Sequence, residues 1–145
     1  MKTAIIFYSK HHGNSKKLLD AIAAPEDLTL IDVTNNPATD LSQFDRIGFA
    51  SGIYYSKFHK TLLSYAEKYF PDGKETFFLY TYGAKKDGYT KAITEVVKKH
   101  NATILGEFGS FGFNTFGPFK LIGGIAKGHP DQADLEQAVA FYKNL

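Results

Sequence analysis

A short apolar run, Ala4 to Phe7, passes directly into the polar turn Tyr8-Ser9-Lys10-His11-His12-Gly13-Asn14-Ser15 and then into Leu18, Leu19, Ile22 and Ala23 at helical spacing. An unbroken apolar run predicts a strand covered on both faces, as in a parallel sheet, because a half-exposed strand would alternate. Pro25 stops the helix. Strand, tight turn and helix in immediate succession place the first helical amides at the turn. Those amides have no partner within the helix and carry partial positive charge, so the turn forms a cup for an anion. Gly13 lets the backbone approach a ligand, while Ser9, Asn14 and Ser15 offer short hydrogen-bonding side chains. Lys16 and Lys17 fall in the first helical turn, where a cation opposes the helix dipole at a cost of about 0.3 to 1 kcal/mol each. With Lys10, His11 and His12 they crowd positive charge that a bound phosphate would relieve.

The same alternation of strand and helix continues along the chain. Leu28 to Val33 predicts a second strand, Ala38 to Phe44 at most a short helical turn, and Ile47 to Ala50 a third strand ending at Ser51-Gly52-Ile53-Tyr54-Tyr55-Ser56. Lys60 to Phe70 predicts a helix closed by Pro71-Asp72-Gly73, and Thr76 to Thr81 a fourth strand followed by Tyr82-Gly83-Ala84. Tyr89 to His100 predicts a helix with Ala92, Ile93, Val96 and Val97 on one face; Thr103 to Phe113 predicts a fifth strand weakened by its glycines. Gly117 to Pro130 is Gly-rich, and Asp131 caps a last helix that docks through Leu135, Ala138, Val139 and Tyr142. Such a pattern implies right-handed crossovers and an α/β fold, a three-layer sandwich with helices on both faces of a five-stranded parallel sheet. The doubly wound order 2-1-3-4-5 fits, and it puts the ligand crevice at the carboxyl ends of strands 1 and 3. Three segments meet there: Ser9 to Ser15, Ser51 to His59 and Thr81 to Tyr89.

At 145 residues the chain is expected to form one domain, residues 1–145. It has no cysteine, which removes thiolate nucleophiles and zinc-thiolate sites. A net charge of +2 is too small to argue for nucleic acid, and no stretch is long enough to span a bilayer. A cytoplasmic protein is the expectation. Neighbouring chemistries fail on particular residues. A phosphate-receiving signalling domain needs acidic residues after strand 1 and an Asp ending strand 3, where this chain has Ser9-Lys10 and Ser51. No Gly-Lys-Ser/Thr ends the first turn, and the Gly-x-Gly-x-x-Gly spacing of dinucleotide folds is absent. His11, His12 and His59 lack an accompanying carboxylate, so no metal site is expected, and the scattered Asp20, Asp32 and Asp45 offer no acid–base pair and hence no catalytic residue.

The turn from Ser9 through His12-Gly13-Asn14-Ser15 resembles the phosphate loop of the flavodoxin family, and the likeness runs the length of the chain. The resemblance implies FMN as cofactor, its phosphate held by Ser9, His12, Gly13, Asn14 and Ser15, with His11 beside them. His11 and His12 depart from the family's usual hydroxyl residues. Ser51, Gly52, Ile53 and Tyr54 resemble the segment beside the flavin N5 edge, where the Gly52 peptide can reorient to accept the hydrogen gained on reduction. Thr81, Tyr82, Gly83 and Tyr89 would flank the ring, and Tyr54, Tyr82 or Tyr89 would stack on it. The tail Phe113 to Pro130 resembles a subgroup of small flavodoxin-domain proteins; it would lid the flavin, dock a partner, or cover the sheet edge. The implied function is electron transfer through non-covalently bound FMN, to a redox partner protein or a small-molecule acceptor. The alternatives are a flavin-dependent oxidoreductase of a quinone or porphyrinogen, or a flavin-free binding module of the same fold.

Overall fold

The computed structural model describes residues 1–8, 13–23, 28–35, 39–112 and 128–145. Side chains along each strand point alternately to two cores, which is what makes the apolar runs continuous. From β1 (Thr3–Tyr8), Ala4 and Ile6 enter one cluster while Ile5 and Phe7 enter the other. β3 (Arg46–Tyr54) and β5 (Glu75–Tyr82) divide in the same way: Ile47, Phe49 and Phe78 face the first cluster, Ala50, Phe77 and Leu79 the second. The first cluster is covered by α2 (Lys60–Tyr69) and α3 (Lys91–Lys98) through Leu62, Tyr65, Ala66, Ile93 and Val97. The second is covered by α1 (Asn14–Ala23) and α4 (Gln132–Lys143) through Leu18, Leu19, Ile22 and Ala138. The result is the three-layer α/β sandwich expected.

With β2 (Thr29–Asp32) and β6 (Thr103–Phe111), the parallel strands run β2-β1-β3-β5-β6, the doubly wound order. One element departs from expectation. The third strand does not stop at Ala50 but continues to Tyr54 and turns back as β4 (Lys57–Phe58), antiparallel to it, so the sheet has six strands instead of five. Tyr55 and Ser56, at φ +52° and +66°, form the turn between them. Both central residues are left-handed, which suits hairpin twist but is a conformation normally given to Asn, Asp or Gly. No local residue signals it. Other boundaries shift by a residue or two: the helix expected from Tyr89 begins at Lys91, and a single 3₁₀ turn, Leu41–Gln43 capped by Asp40, stands within the expected Ala38 to Phe44. Ala38 itself, Pro25, and Phe113 to Lys127 of the tail lie outside the described residues.

The glycines that weakened the fifth strand in the sequence are places where a neighbour lies flat on the backbone. A Cβ added at Gly109 would meet the Tyr80 ring at 2.4 Å, and one at Gly106 would touch Phe141. Gly48 carries the Phe77 ring of the adjacent strand in the same way, at 2.4 Å. Packing gained by the aromatic ring replaces the side chain that glycine lacks.

Asp131 caps α4 as expected, in a full capping box with Asp134, and His129 Nδ1 lies 2.6 Å from Asp134. The hydrogen bond to Asp134 raises the His129 imidazole above its ordinary value of 6.5. Burial pushes Asp134 up, but its hydrogen bonds with His129 and the Asp131 N–H outweigh this and hold it below its ordinary 3.8. The His129 contribution is therefore complete below about pH 6.5 and is lost as pH rises through the folded-state value; the Asp134 contribution is lost as pH falls below about 3.8. Wild-type protein is expected to lose stability from pH 6 to 8 more steeply than His129→Asn. Equal slopes in thermal unfolding would show that the pair is not coupled to folding.

No helix among the described residues is long and apolar enough to cross a membrane.

Candidate functional site

The first intrahelical bond of α1 runs from Lys17 N–H to the Gly13 carbonyl at 3.0 Å, so the amides before it point out of the helix end. Gly13 reaches that position at φ +64°, and a Cβ there would meet nothing within 4 Å among the described residues. Ser15 lies inside the end of the helix, 2% exposed, and its hydroxyl has no hydrogen-bond partner among the described residues. A buried hydroxyl left without a partner costs roughly 1 to 3 kcal/mol, which an acceptor placed against it would recover. Asn14 is also buried. Of the crowded cations, Lys16 is drawn one turn along the helix to Asp20 at 2.5 Å and lies exposed. Ser9, His11 and His12, the other phosphate-site candidates, lie outside the described residues.

The sheet brings the three predicted segments to one edge. Ser51 is in register with Tyr8 on one side and Tyr80 on the other, and Gly52 with Thr81. A Cβ on Gly112, after β6, would strike both the Asn14 amide at 2.7 Å and Thr81 at 3.0 Å, so the start of α1 and the end of β5 meet over that glycine. Gly13, Asn14, Ser15, Ser51, Gly52 and Thr81 thus stand together at the carboxyl ends of the central strands, where the strand order reverses.

Ser51 is fully buried and does two things: its hydroxyl accepts from the His59 N–H at 3.1 Å and donates to the Gly52 carbonyl at 2.5 Å. The Gly52 peptide is therefore held by a neighbouring hydroxyl, and Ile53 and Tyr54 continue from it as strand rather than loop. Tyr54 stands edge-on to Tyr8 and to His59, with ring centres 5.9 and 4.9 Å apart. Tyr82 and Tyr89 lie elsewhere: their rings stack on each other at 5.9 Å, Tyr82 also meets Phe111, and the Tyr89 hydroxyl donates to the Ala84 carbonyl. Both are buried within this cluster, and burial raises both phenols above their ordinary value. Gly83 follows Tyr82, half-buried.

Sequence reasoning put His59 at the end of a segment expected at the crevice but did not pair it with Tyr8. Their rings stack at 3.7 Å and 9°, a contact between residues on β1 and before α2 that no local pattern announces. The only available sign was the density of aromatic residues from Tyr54 to His59.

Residues 5–109 match the family model described as a flavodoxin domain. An uncharacterized protein of Methanocaldococcus jannaschii is 33% identical over 147 residues, covering 100% of this chain and 98% of its own length. Among solved structures, a protein of P. pentosaceus described as an NADPH-quinone reductase superposes with a TM-score of 0.67 at 14% identity, covering 99% of this chain and 96% of that one. A flavoprotein of Lactobacillus acidophilus, solved in complex with FMN, has a TM-score of 0.56 at 18% identity and covers 74% of this chain and 92% of its own.

Proposed function

This chain belongs to the flavodoxin-domain family, and on that premise we propose that it is a flavin-associated redox protein that holds FMN non-covalently, its phosphate at the start of α1. The single observation that carries the reading is the buried Ser15 hydroxyl at that helix end, which has no hydrogen-bond partner among the described residues. It offers a donor where a phosphate oxygen would sit, beside outward-pointing amides and the positive end of the helix dipole. Ser9, His11 and His12 complete the phosphate site in this reading, and Gly52, Ile53, Tyr54, Thr81 and Gly83 border the ring. When bound, FMN supplies the electron-transfer chemistry. The chain's own residues bind and orient: Gly13 makes the turn, Ser15 and Asn14 donate toward the anion, and Ser51 holds the Gly52 carbonyl in place. The Lactobacillus acidophilus flavoprotein, which binds FMN, shares the fold. Electrons pass on to a partner protein or to a small acceptor.

The test compares FMN with riboflavin, which lacks the phosphate, by titrating each into flavin-free protein and following flavin fluorescence. FMN is expected to bind at least tenfold more tightly, about 1.4 kcal/mol. Ser15→Ala is expected to weaken FMN by about tenfold while leaving the flavin-free protein as stable or slightly more so, because it removes a buried polar group that has no partner there. Equal affinity for the two flavins would overturn the phosphate assignment.

A further inference from the structure

Two connections leave the neighbouring strands β3 and β5 at the carboxyl end of the sheet: the hairpin leading into α2, residues 55–60, and the loop leading into α3, residues 83–91. They carry Lys57, Lys60, Lys85, Lys86 and Lys91 against one carboxylate, Asp87. We propose that this lysine face docks a partner protein through an acidic surface, a contact patch built of Asp and Glu side chains. The inference deepens the redox reading by giving the partner a sign of charge and a place to sit; it rests on that reading for what the partner exchanges, not for its docking.

The positive charge is concentrated here. Five lysines and one carboxylate give these two segments +4, whereas the whole chain carries +2, so the remaining residues are net negative. All five lysines are exposed, and none is ion-paired among the described residues. Cations elsewhere are answered: Arg46 by Glu75 and Lys99 by Glu67, each at 3.3 Å, and Lys74 by the Ser42 carbonyl at 2.9 Å. Lys57 and Lys91 face a common groove of about 330 Å³, with Gly88 between them and Glu95 further along α3, so the two segments form one surface.

Folding alone works against this arrangement. Lys60 and Lys91 are the first residues of α2 and α3, and neither helix has an acidic residue in its first turn, where acids rather than cations match the helix dipole. A negative surface laid on this face relieves both that mismatch and the mutual repulsion of the lysines.

The backbone beneath the charges is already held in place. Phe58, 0% exposed, pins the hairpin to the first core, which leaves its strand neighbour Lys57 on the outside. The Tyr89 hydroxyl donates to the Ala84 carbonyl at 2.5 Å and so ties together the ends of the segment that carries Lys85 and Lys86. A surface ordered in advance loses less on docking.

The same features favour a folded acidic protein over a nucleic acid. Arg, the residue best suited to phosphate, occurs once in the chain, at Arg46, where Glu75 holds it at the start of β3. The net-negative remainder would repel a long run of phosphates, whereas a compact carboxylate patch meets only the lysines.

The probe is a plant-type ferredoxin chosen for its strongly acidic surface, titrated by calorimetry at low salt into the flavin-free and the FMN-loaded protein; basic cytochrome c and a short DNA duplex are the comparisons. One ferredoxin is expected to bind in each case, more tightly than either comparison, with an affinity that falls as salt is added. Lys57→Gln/Lys91→Gln and Lys85→Gln/Lys86→Gln are each expected to weaken it by about tenfold without lowering the unfolding midpoint. Lys98→Gln/Lys143→Gln removes the same charge from the last turns of α3 and α4 and is expected to leave the affinity nearly unchanged. Equal losses in all three variants would assign the attraction to net charge and overturn the proposal, as would ferredoxin binding no more tightly than cytochrome c. Tighter binding of the duplex than of ferredoxin would overturn it in favour of a nucleic acid. Failure of FMN to bind, with ferredoxin and the variants behaving as stated, would overturn the flavin reading and leave this one standing.

Discussion

Gly48→Ala is expected to destabilise the protein by about 1 to 3 kcal/mol, although alanine is ordinarily the better residue within a strand by about 0.5 to 1 kcal/mol. The sign is decided by contact. The new methyl would lie 2.4 to 2.9 Å from three ring atoms of Phe77, distances that real Cβ atoms do not show. Phe77 is 0% exposed, among Phe141, Tyr142 and the second core cluster, so its ring has no room to withdraw. Thermal unfolding should show the midpoint lowered by roughly 5 °C. Combining the change with Phe77→Leu should cost less than the sum of the two single changes, because the smaller side chain vacates the space that the methyl needs. A Gly48→Ala protein as stable as wild type would mean that the ring does not lie on this backbone.

The second large effect is on ligand affinity. Asn14→Asp keeps the size and shape of a side chain that lies against Gly112, and it places a carboxylate at the start of α1, where the helix dipole favours negative charge by about 0.3 to 1 kcal/mol. The flavin-free protein should therefore remain folded with little change in its unfolding midpoint. FMN should bind roughly 10- to 100-fold more weakly, because a unit charge a few ångströms from a phosphate opposes it by about 1 to 4 kcal/mol at effective dielectric constants between those of water and the protein surface region. Riboflavin affinity should stay nearly constant, since it brings no phosphate. A variant that binds FMN as tightly as wild type would remove the start of α1 from the site.

Read in order, the residues themselves determined most of the frame. The unbroken apolar runs at Ala4 to Phe7 and Thr76 to Thr81 required strands covered on both faces, and their alternation with amphipathic helices required a parallel, doubly wound sheet. Asp131 and the first turn of α4 announced a cap that is present. Gly13-Asn14-Ser15 marked the start of α1, and the order of the strands then located the crevice. Each of these signals is local: a periodicity, a cap or a breaker acts within a few residues, so it can be seen without knowing the fold.

What only the tertiary structure decided depends on residues far apart in the chain. The turn at Tyr55–Ser56 has no Gly, Asn or Asp to mark it, and pairing with β3 imposes its left-handed backbone. The stack of Tyr8 on His59 joins positions from β1 and the head of α2, and Gly48, Gly109 and Gly112 are required by Phe77, Tyr80 and Asn14 on other elements. Tyr82 and Tyr89, which as isolated residues offered rings to a ligand, turn instead toward each other. Close contact between side chains is a property of the assembled surfaces, and the energy that selects it appears only once those surfaces have met.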